Sequence, residues 1–390
     1  MTGGAVVINE AAWKRTLRRG ICCGRFSKLI LFLFAIFVIR HQAWSESNAK
    51  NGTAPPCVAS HGITPICGVH GPEDIEVLPD GKHLLVSELA GDFIHAVDPA
   101  LLVVDLATDR VHALPMQSKP ETGWGEDSCK APPAHMGSHG IHLSKRDDGR
   151  MEVLAVNHVE RESIEAIELM HNSSGYAGVW HGCVTHPTGL FNDVAATGDG
   201  GFVATIMMEK SLNAQKDATE IILSGKDTGY LVEWHPGRSL VRLPNSEAPL
   251  NNGIQLSKDR RFIYFNAWSA GQVRKYDRQA QRVVKVVDVP FQPDNLSVRG
   301  DGTLLVTGID DLRSWKACVL GHRAFCEMGF TVMTLDPDTW TTKLLYHGAP
   351  GILSGASVAV EVKDKLYVGT FMGDRLLKID LAAGGPADHY

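Results

Sequence analysis

The sequence predicts an all-β fold, a six-bladed β-propeller, and three observations predict it. Six short segments place a polar pair or a small residue ahead of an apolar one: Glu73-Asp74-Ile75, His139-Gly140-Ile141, Asn192-Asp193-Val194, Asn252-Gly253-Ile254, Asp294-Asn295-Leu296 and Ala356-Ser357-Val358. Each is followed by a turn rich in Asp, Gly or Lys and then by a second run rich in Val, Leu, Ile, Tyr and Phe, which is hairpin chemistry. The segments recur at intervals of roughly 40 to 70 residues with about four strands' worth of chain in each, the spacing of propeller blades.

In chain order, residues 1–56 read as a separate leader and linker, and 57–390 as the propeller domain. Lys14, Arg15, Arg18, Arg19, Arg25 and Lys28 precede an apolar run from Leu29 to Ile39. A bilayer crossing needs about 20 apolar residues, so this shorter run suits the core of a signal sequence, with Ala43-Trp44-Ser45 as a small-x-small cleavage site. A retained membrane anchor is the alternative. Either one exports the C-terminal domain by the positive-inside rule, leaving it secreted, periplasmic, or extracellular-facing and anchored. In the anchored case Cys22 and Cys23 stay on the inner side. The remaining six cysteines, at 57, 67, 129, 183, 318 and 326, permit three disulfides. Cys318 with Cys326 is the first pair expected, ahead of Cys57 with Cys67 and Cys129 with Cys183. Sequons stand at Asn51 and Asn172, and a third at Asn295 falls inside a repeated polar segment.

The blades follow. The first is GPEDIEVLPDGKHLLVS; the second opens with SHGIHL after an insertion from Ala113 to Gly137 that is either a lid or a surface loop. The third, FNDVAATGDGGFVAT, carries a second insertion from Lys210 to Lys226, and the rest add runs such as GQVRKYDRQAQRVVKVVDV and FTVMTLDPDTWTTKLLY. Trp234, Trp268 and Trp315 read as blade packing or, alternatively, as pocket walls. The chain has a net charge of −6 and 44% apolar residues, with no basic field of the kind nucleic acid requires. No CxxC spacing suggests a zinc site.

Stacked, the segments give a first column of Glu73, His139, Asn192, Asn252, Asp294 and Ala356, and a second of Asp74, Gly140, Asp193, Gly253, Asn295 and Ser357. A buried strand does not repeat carboxylates and amides without a partner, because each costs desolvation energy. On six inner strands these residues converge on one mouth of the channel, and alternation along a strand divides them into two clusters. Glu73, Asn192, Asn252 and Asp294 offer oxygen alone, the ligand set of Ca²⁺. Asp74 and Asp193 suit a second, structural calcium held with backbone carbonyls. Read singly, each residue is an ordinary turn former; the set is not, because the pairs precede strands. His139 stands in the first column, and His158 ends the hairpin partner strand VLAVNH. One histidine then serves as base and the other as its orienter, beside a metal that polarises a carbonyl.

GPEDIEVLP, SHGIHL followed by VNH, FNDV, NNGI, PDNLSV and LSGASVAVEVKDKLYVGT resemble, in order and from Gly71 onward, the serum paraoxonase/arylesterase family, six-bladed propellers with two calcium ions that hydrolyse lactones and aryl esters. The resemblance implies that Glu73, Asn192, Asn252, Asp294 and Asn295 hold a catalytic calcium. It places Asp74, Asp193 and the backbone carbonyl of Ile141 on a structural one, and makes His139 and His158 the catalytic dyad acting on a small ester or lactone. The chain also departs from that pattern. Thr205-Ile206-Met207-Met208 replaces an Asp-His pair, and Ile309 stands where a pocket histidine is usual. No cysteine follows Cys326, so ring closure rests on strand pairing or on Cys57 or Cys67 pairing elsewhere. The alternatives are a gluconolactonase-like sugar lactonase with one metal and a non-hydrolytic propeller of the strictosidine-synthase-like or binding type.

Overall fold

Six strands carry the repeated polar segments, and each is the innermost strand of its own sheet. The computed structural model describes residues 54–89, 98, 100–215, 217–321, 323 and 325–383. The basic and apolar leader lies outside the described residues through position 53. Among the described residues, no helix is long and apolar enough to cross a membrane.

The first strand, β1 (Ile63–Cys67), is reserved for the last blade. Blade one is β2 (Pro72–Val77), β3 (His83–Glu88), β4 (Leu101–Asp105) and β5 (Arg110–Ala113). Blade two comprises β6 (Met116–Ser118), β7 (Ser138–Lys145), β8 (Met151–Asn157), β9 (Ser163–Asn172) and β10 (Gly175–Thr185). Blade three has β11 (Gly189–Ala196), β12 (Phe202–Glu209), β13 (Tyr230–Trp234) and β14 (Val241–Arg242). Blade four runs β15 (Asn251–Leu256), β16 (Phe262–Ala267), β17 (Gln272–Asp277) and β18 (Arg282–Asp288). In blade five are β19 (Gln292–Val298), β20 (Leu304–Ile309), β21 (Phe330–Leu335) and β22 (Thr342–Gly348). Blade six takes β23 (Ala356–Val362), β24 (Lys365–Thr370) and β25 (Arg375–Asp380), with β1 as its outer strand.

Ring closure is a hydrogen-bonded ladder. β1 pairs antiparallel with β25 from Ile63 opposite Ile379 to Cys67 opposite Arg375. Cys57 bonds Cys67 within the same short segment, so no disulfide ties the two ends of the domain. Cys129–Cys183 and Cys318–Cys326 complete the three bridges. Part of the insertion before blade two is built into that blade: Met116–Ser118 adds a parallel edge strand against β10, Trp124 is buried, and Cys129 is stapled to β10 through Cys183. Sheet faces pack on neighbouring sheet faces, which is why the strands read apolar on both sides. Trp124, Phe191, Phe202 and Trp234 join blades two and three in one cluster, so Trp234 is a packing residue.

The polar pairs are β-bulges. In blade one Pro72 pairs with Glu88 and Ile75 with Val86, so Glu73 and Asp74 together face the single residue Ser87. The same two-against-one step sets Asn192 and Asp193 against Thr205, Asn252 and Gly253 against Asn266, and Asp294 and Asn295 against Thr307. In blade two, His139 and Gly140 face Val156. A bulge breaks the strict alternation of a strand and re-aims its side chains. The amides it leaves unpaired are taken up locally: the Asp74 N–H donates to Ser87 Oγ at 3.0 Å, and the Asp193 N–H to Thr205 Oγ1 at 3.0 Å.

Register corrects the sequence alignment in blade six. Ala356 pairs directly with Thr370 and the step falls at Ser357 and Val358, so Ser357 rather than Ala356 is the sixth member of the first column. Its hydroxyl donates to the Glu73 carbonyl at 2.5 Å.

The glycines of the second column have a steric cause. A Cβ on Gly253 would lie 2.5 Å from Asn295 Cα and 2.6 Å from the Asp294 carbonyl oxygen, and one on Gly140 would lie 2.5 Å from Asp193 Oδ1. Gly253→Ala is therefore expected to cost about 1–3 kcal/mol by overpacking, read from urea unfolding. A loss below about 0.5 kcal/mol would mean that blades four and five separate freely here.

Candidate active site

The channel mouth gathers four carboxyl groups. Glu73, Asp74, Asp193 and Asp294 are all buried. Burial pushes the Glu73 carboxyl up to about 8, although its hydrogen bond from Asn295 pulls the other way. Asp74 and Asp294 are held well above the usual carboxylate range by burial and by the charge of Glu73, and Asp193 by burial and the charge of Asp74. Such a group of mutually repelling acids is stable only if protonated or if a cation joins it.

The two aspartates of the second column lock neighbouring blades. Asp74 accepts the Ile75 N–H at 2.8 Å and, across the blade boundary, the Ile141 N–H at 2.7 Å. Asp193 repeats the pattern with Val194 at 2.7 Å and Ile254 at 2.8 Å. Each aspartate thus reaches into the blade whose second-column residue is glycine.

The first column, joined by Asn295 of the second, is arranged differently. Asn295 Nδ2 donates to Glu73 Oε1 at 2.8 Å, joining blade five to blade one. Asn252 Oδ1 accepts the Gly253 N–H at 2.8 Å, and its side chain also hydrogen-bonds to Asp294. Three buried oxygens, Glu73 Oε2, Asn192 Oδ1 and Asn295 Oδ1, have no hydrogen-bond partner. Unpaired buried acceptors are costly, and a carboxylate with two amide oxygens is what a hard cation binds. The residues present therefore fit a divalent ion.

His139 and His158 are brought together. His139 Nδ1 lies 2.9 Å from His158 Nε2, and its Nε2 lies 3.4 Å from Asn192 Nδ2 and 3.6 Å from Glu73 Oε1. Burial lowers the His139 imidazole to about 3, with the charge of Glu162 acting against it. At neutral pH its ring is uncharged. Glu162 is a residue that sequence reading passed over: its oxygens lie 3.0 and 3.1 Å from His158 Nδ1. It stands in the connection after β8, where no periodicity marks it. The only available signal was its place four residues beyond His158.

An apolar wall stands on one side of the same end of the channel. Leu190, Met207, Met208, Trp268, Ile309 and Met328 belong to one buried cluster from blades three, four and five. Met208 pairs with Leu190, two residues before Asn192, and Ile309 with Gln292, two before Asp294. Met207, Met208 and Ile309 are thus buried side by side in this cluster. Trp268 meets Trp315 edge to face at 5.0 Å. Trp315 lies on the helix Leu312–Leu320, whose start is capped by Asp311 and whose last turn is stapled by Cys318–Cys326. Two grooves of about 1000 and 1020 Å³ lie elsewhere, one along Asp259, Lys275 and Asp338, the other along His186, Tyr230 and Arg242; neither includes a first-column residue.

Fold and site together define a six-bladed propeller with a buried, oxygen-rich channel mouth. The chain belongs to the SMP-30/Gluconolactonase/LRE-like family, whose region matches residues 90–319. Serum paraoxonase/arylesterase 1 of Homo sapiens is 26% identical over 324 residues, 77% of this chain and 83% of its own. A strictosidine synthase-like protein of Arabidopsis thaliana is 32% identical over 89 residues, 22% of each chain. Among solved structures, a gluconolactonase from Xanthomonas campestris superposes with a TM-score of 0.50 at 15% identity, covering 82% of this chain and 89% of that one, a likeness of fold.

Proposed function

We propose that this chain is a calcium-dependent hydrolase of lactones and aryl esters. The observation that carries the reading is the His139–His158 pair, 2.9 Å apart, beside three buried oxygens without partners. Membership of a family described by its gluconolactonases, and similarity to an arylesterase over most of the chain, support hydrolysis as the reaction class.

Glu73, Asn192, Asn252, Asp294 and Asn295 would hold the catalytic ion, and Asp74, Asp193 and the Ile141 carbonyl a structural one. The chemistry a divalent ion supplies at such a place is polarisation of a carbonyl oxygen and stabilisation of negative charge on it. His139 Nε2 takes a proton from water as the water oxygen bonds to the carbonyl carbon. That proton then goes to the departing alkoxide or phenoxide as its C–O bond breaks, so the base ends as it began. His158 Nε2 accepts a hydrogen bond from His139 Nδ1–H and keeps the ring aligned. The apolar wall favours a hydrocarbon-substituted ester or lactone over a polyhydroxylated sugar lactone, whose hydroxyls would find no partners there.

Export fits the three disulfides, which persist in oxidising compartments. Purified protein is expected to hydrolyse phenyl acetate and a γ- or δ-lactone, to lose this activity to a chelator, and to regain it with Ca²⁺. Activity indifferent to chelation would overturn the metal reading, and inactivity on the whole panel with Ca²⁺ present would favour a non-hydrolytic propeller.

A further inference from the structure

We infer that Glu162 is a positioning residue for the base, fixing which nitrogen of each imidazole carries the proton so that His139 presents an unprotonated Nε2 to the site. The inference rests on the hydrolase reading above. Glu162 is buried, and both its oxygens lie at hydrogen-bonding distance from His158 Nδ1, 3.0 and 3.1 Å away. A carboxylate oxygen accepts, so the hydrogen in this contact sits on His158 Nδ1, and a ring carrying one N–H then presents Nε2 as an acceptor. That acceptor is 2.9 Å from His139 Nδ1, which must then be the donor. The proton of neutral His139 is thereby assigned to Nδ1, and Nε2 is left with its lone pair. Asn192 Nδ2, a donor 3.4 Å away, faces that lone pair.

Every step in this relay follows from one acid. Without it, His158 can carry its proton on Nε2 and donate to His139 Nδ1, which forces the His139 proton onto Nε2 and removes the base. Glu162 also serves in the reverse sense: when His139 Nε2 gains a proton, its Nδ1 proton can pass to His158 Nε2. The positive charge then rests beside the carboxylate, with no net change in the number of protons.

A purely structural role is the competing account, because Glu162 Oε1 also accepts the Phe191 N–H at 2.7 Å, immediately before Asn192. Glu162→Gln retains an oxygen for that N–H but loses the charge and the obligatory direction of the relay; Glu162→Asp keeps both. The test uses the full calcium-loaded chain and compares phenyl acetate kinetics, calcium affinity and imidazole ¹⁵N spectra. Glu162→Gln is expected to lower kcat on the order of 10- to 100-fold at unchanged KM and calcium affinity, with Glu162→Asp recovering most of the loss. Wild-type spectra should show Nδ1–H on both histidines, and the Gln variant a mixture. A Gln variant within twofold of wild type, an Asp variant no better than Gln, or an Nε2–H tautomer at wild-type His158 would each overturn the inference. Should wild type hydrolyse nothing, the hydrolase reading fails while the spectra still decide the part played by Glu162.

Discussion

His139→Gln is expected to lower kcat for ester or lactone hydrolysis on the order of 10²- to 10⁴-fold, with KM and calcium affinity little changed. Gln is close to His in size, and its amide can still donate toward His158 Nε2, so the packing around β7 survives. What disappears is a nitrogen able to gain and return a proton at the position facing Glu73 and Asn192. His139 carries no ligand oxygen, so the ion should remain bound. Steady-state kinetics together with calcium titration check this. A variant within threefold of wild-type kcat would remove His139 from the chemistry, whereas a parallel loss of calcium would recast it as a support for the metal residues. His158→Gln should fall less, because His158 acts through His139.

The propeller was legible because blade repetition is written in local chemistry. Each inner strand places oxygen-bearing or small residues ahead of an apolar one, and a turn and a second strand follow. The fourth-blade turn is typical: Arg260 adopts φ +60° while Asp259 accepts the Arg261 N–H. The bulges were not legible, since two residues opposing one is a property of the partner strand's register. That is also why blade six was aligned one residue early: Ala356 and Ser357 are both small, and only the pairing of Ala356 with Thr370 separates them. Asp74 and Asp193 were picked out by charge, yet their ties to the Ile141 and Ile254 amides of the next blade appear only in the fold. The apolar mouth was half visible, as Met207, Met208 and Ile309 in unexpected places. Trp268 joins it from blade four and Met328 from the connection before β21, and no sequence period links those positions.

The chelated protein is expected to lose stability as pH rises from about 6.5 to 8, and Ca²⁺ is expected to restore it most at the upper end. Glu73 is pushed up to about 8 from an ordinary 4.5, so the folded protein binds its proton more tightly than the unfolded chain does. The stability this contributes is present in full below about 4.5 and is lost as pH climbs through about 8, at about 1.4 kcal/mol per pH unit between them. Asp74, Asp193 and Asp294 are raised as well and act with the same sign. His139 and His142 oppose them only at lower pH. Burial depresses these rings to about 3 and about 4 from 6.5, so stability rises with pH until the unfolded imidazole is neutral. Above about 6.5 that contribution is constant and the carboxyls alone set the slope. A fall in Tm on the order of 5 °C between pH 6.5 and 8 is expected in chelator, shrinking when Ca²⁺ is present. Glu73→Gln should make the slope in chelator shallower, the remainder being set by Glu76, which burial also pushes up to about 8, and by the three aspartates, and it should weaken the calcium response at the same time. A Tm that is flat or rising across this window without metal would mean that the protein already neutralises these acids, and the case for a cation at the channel mouth would go with it.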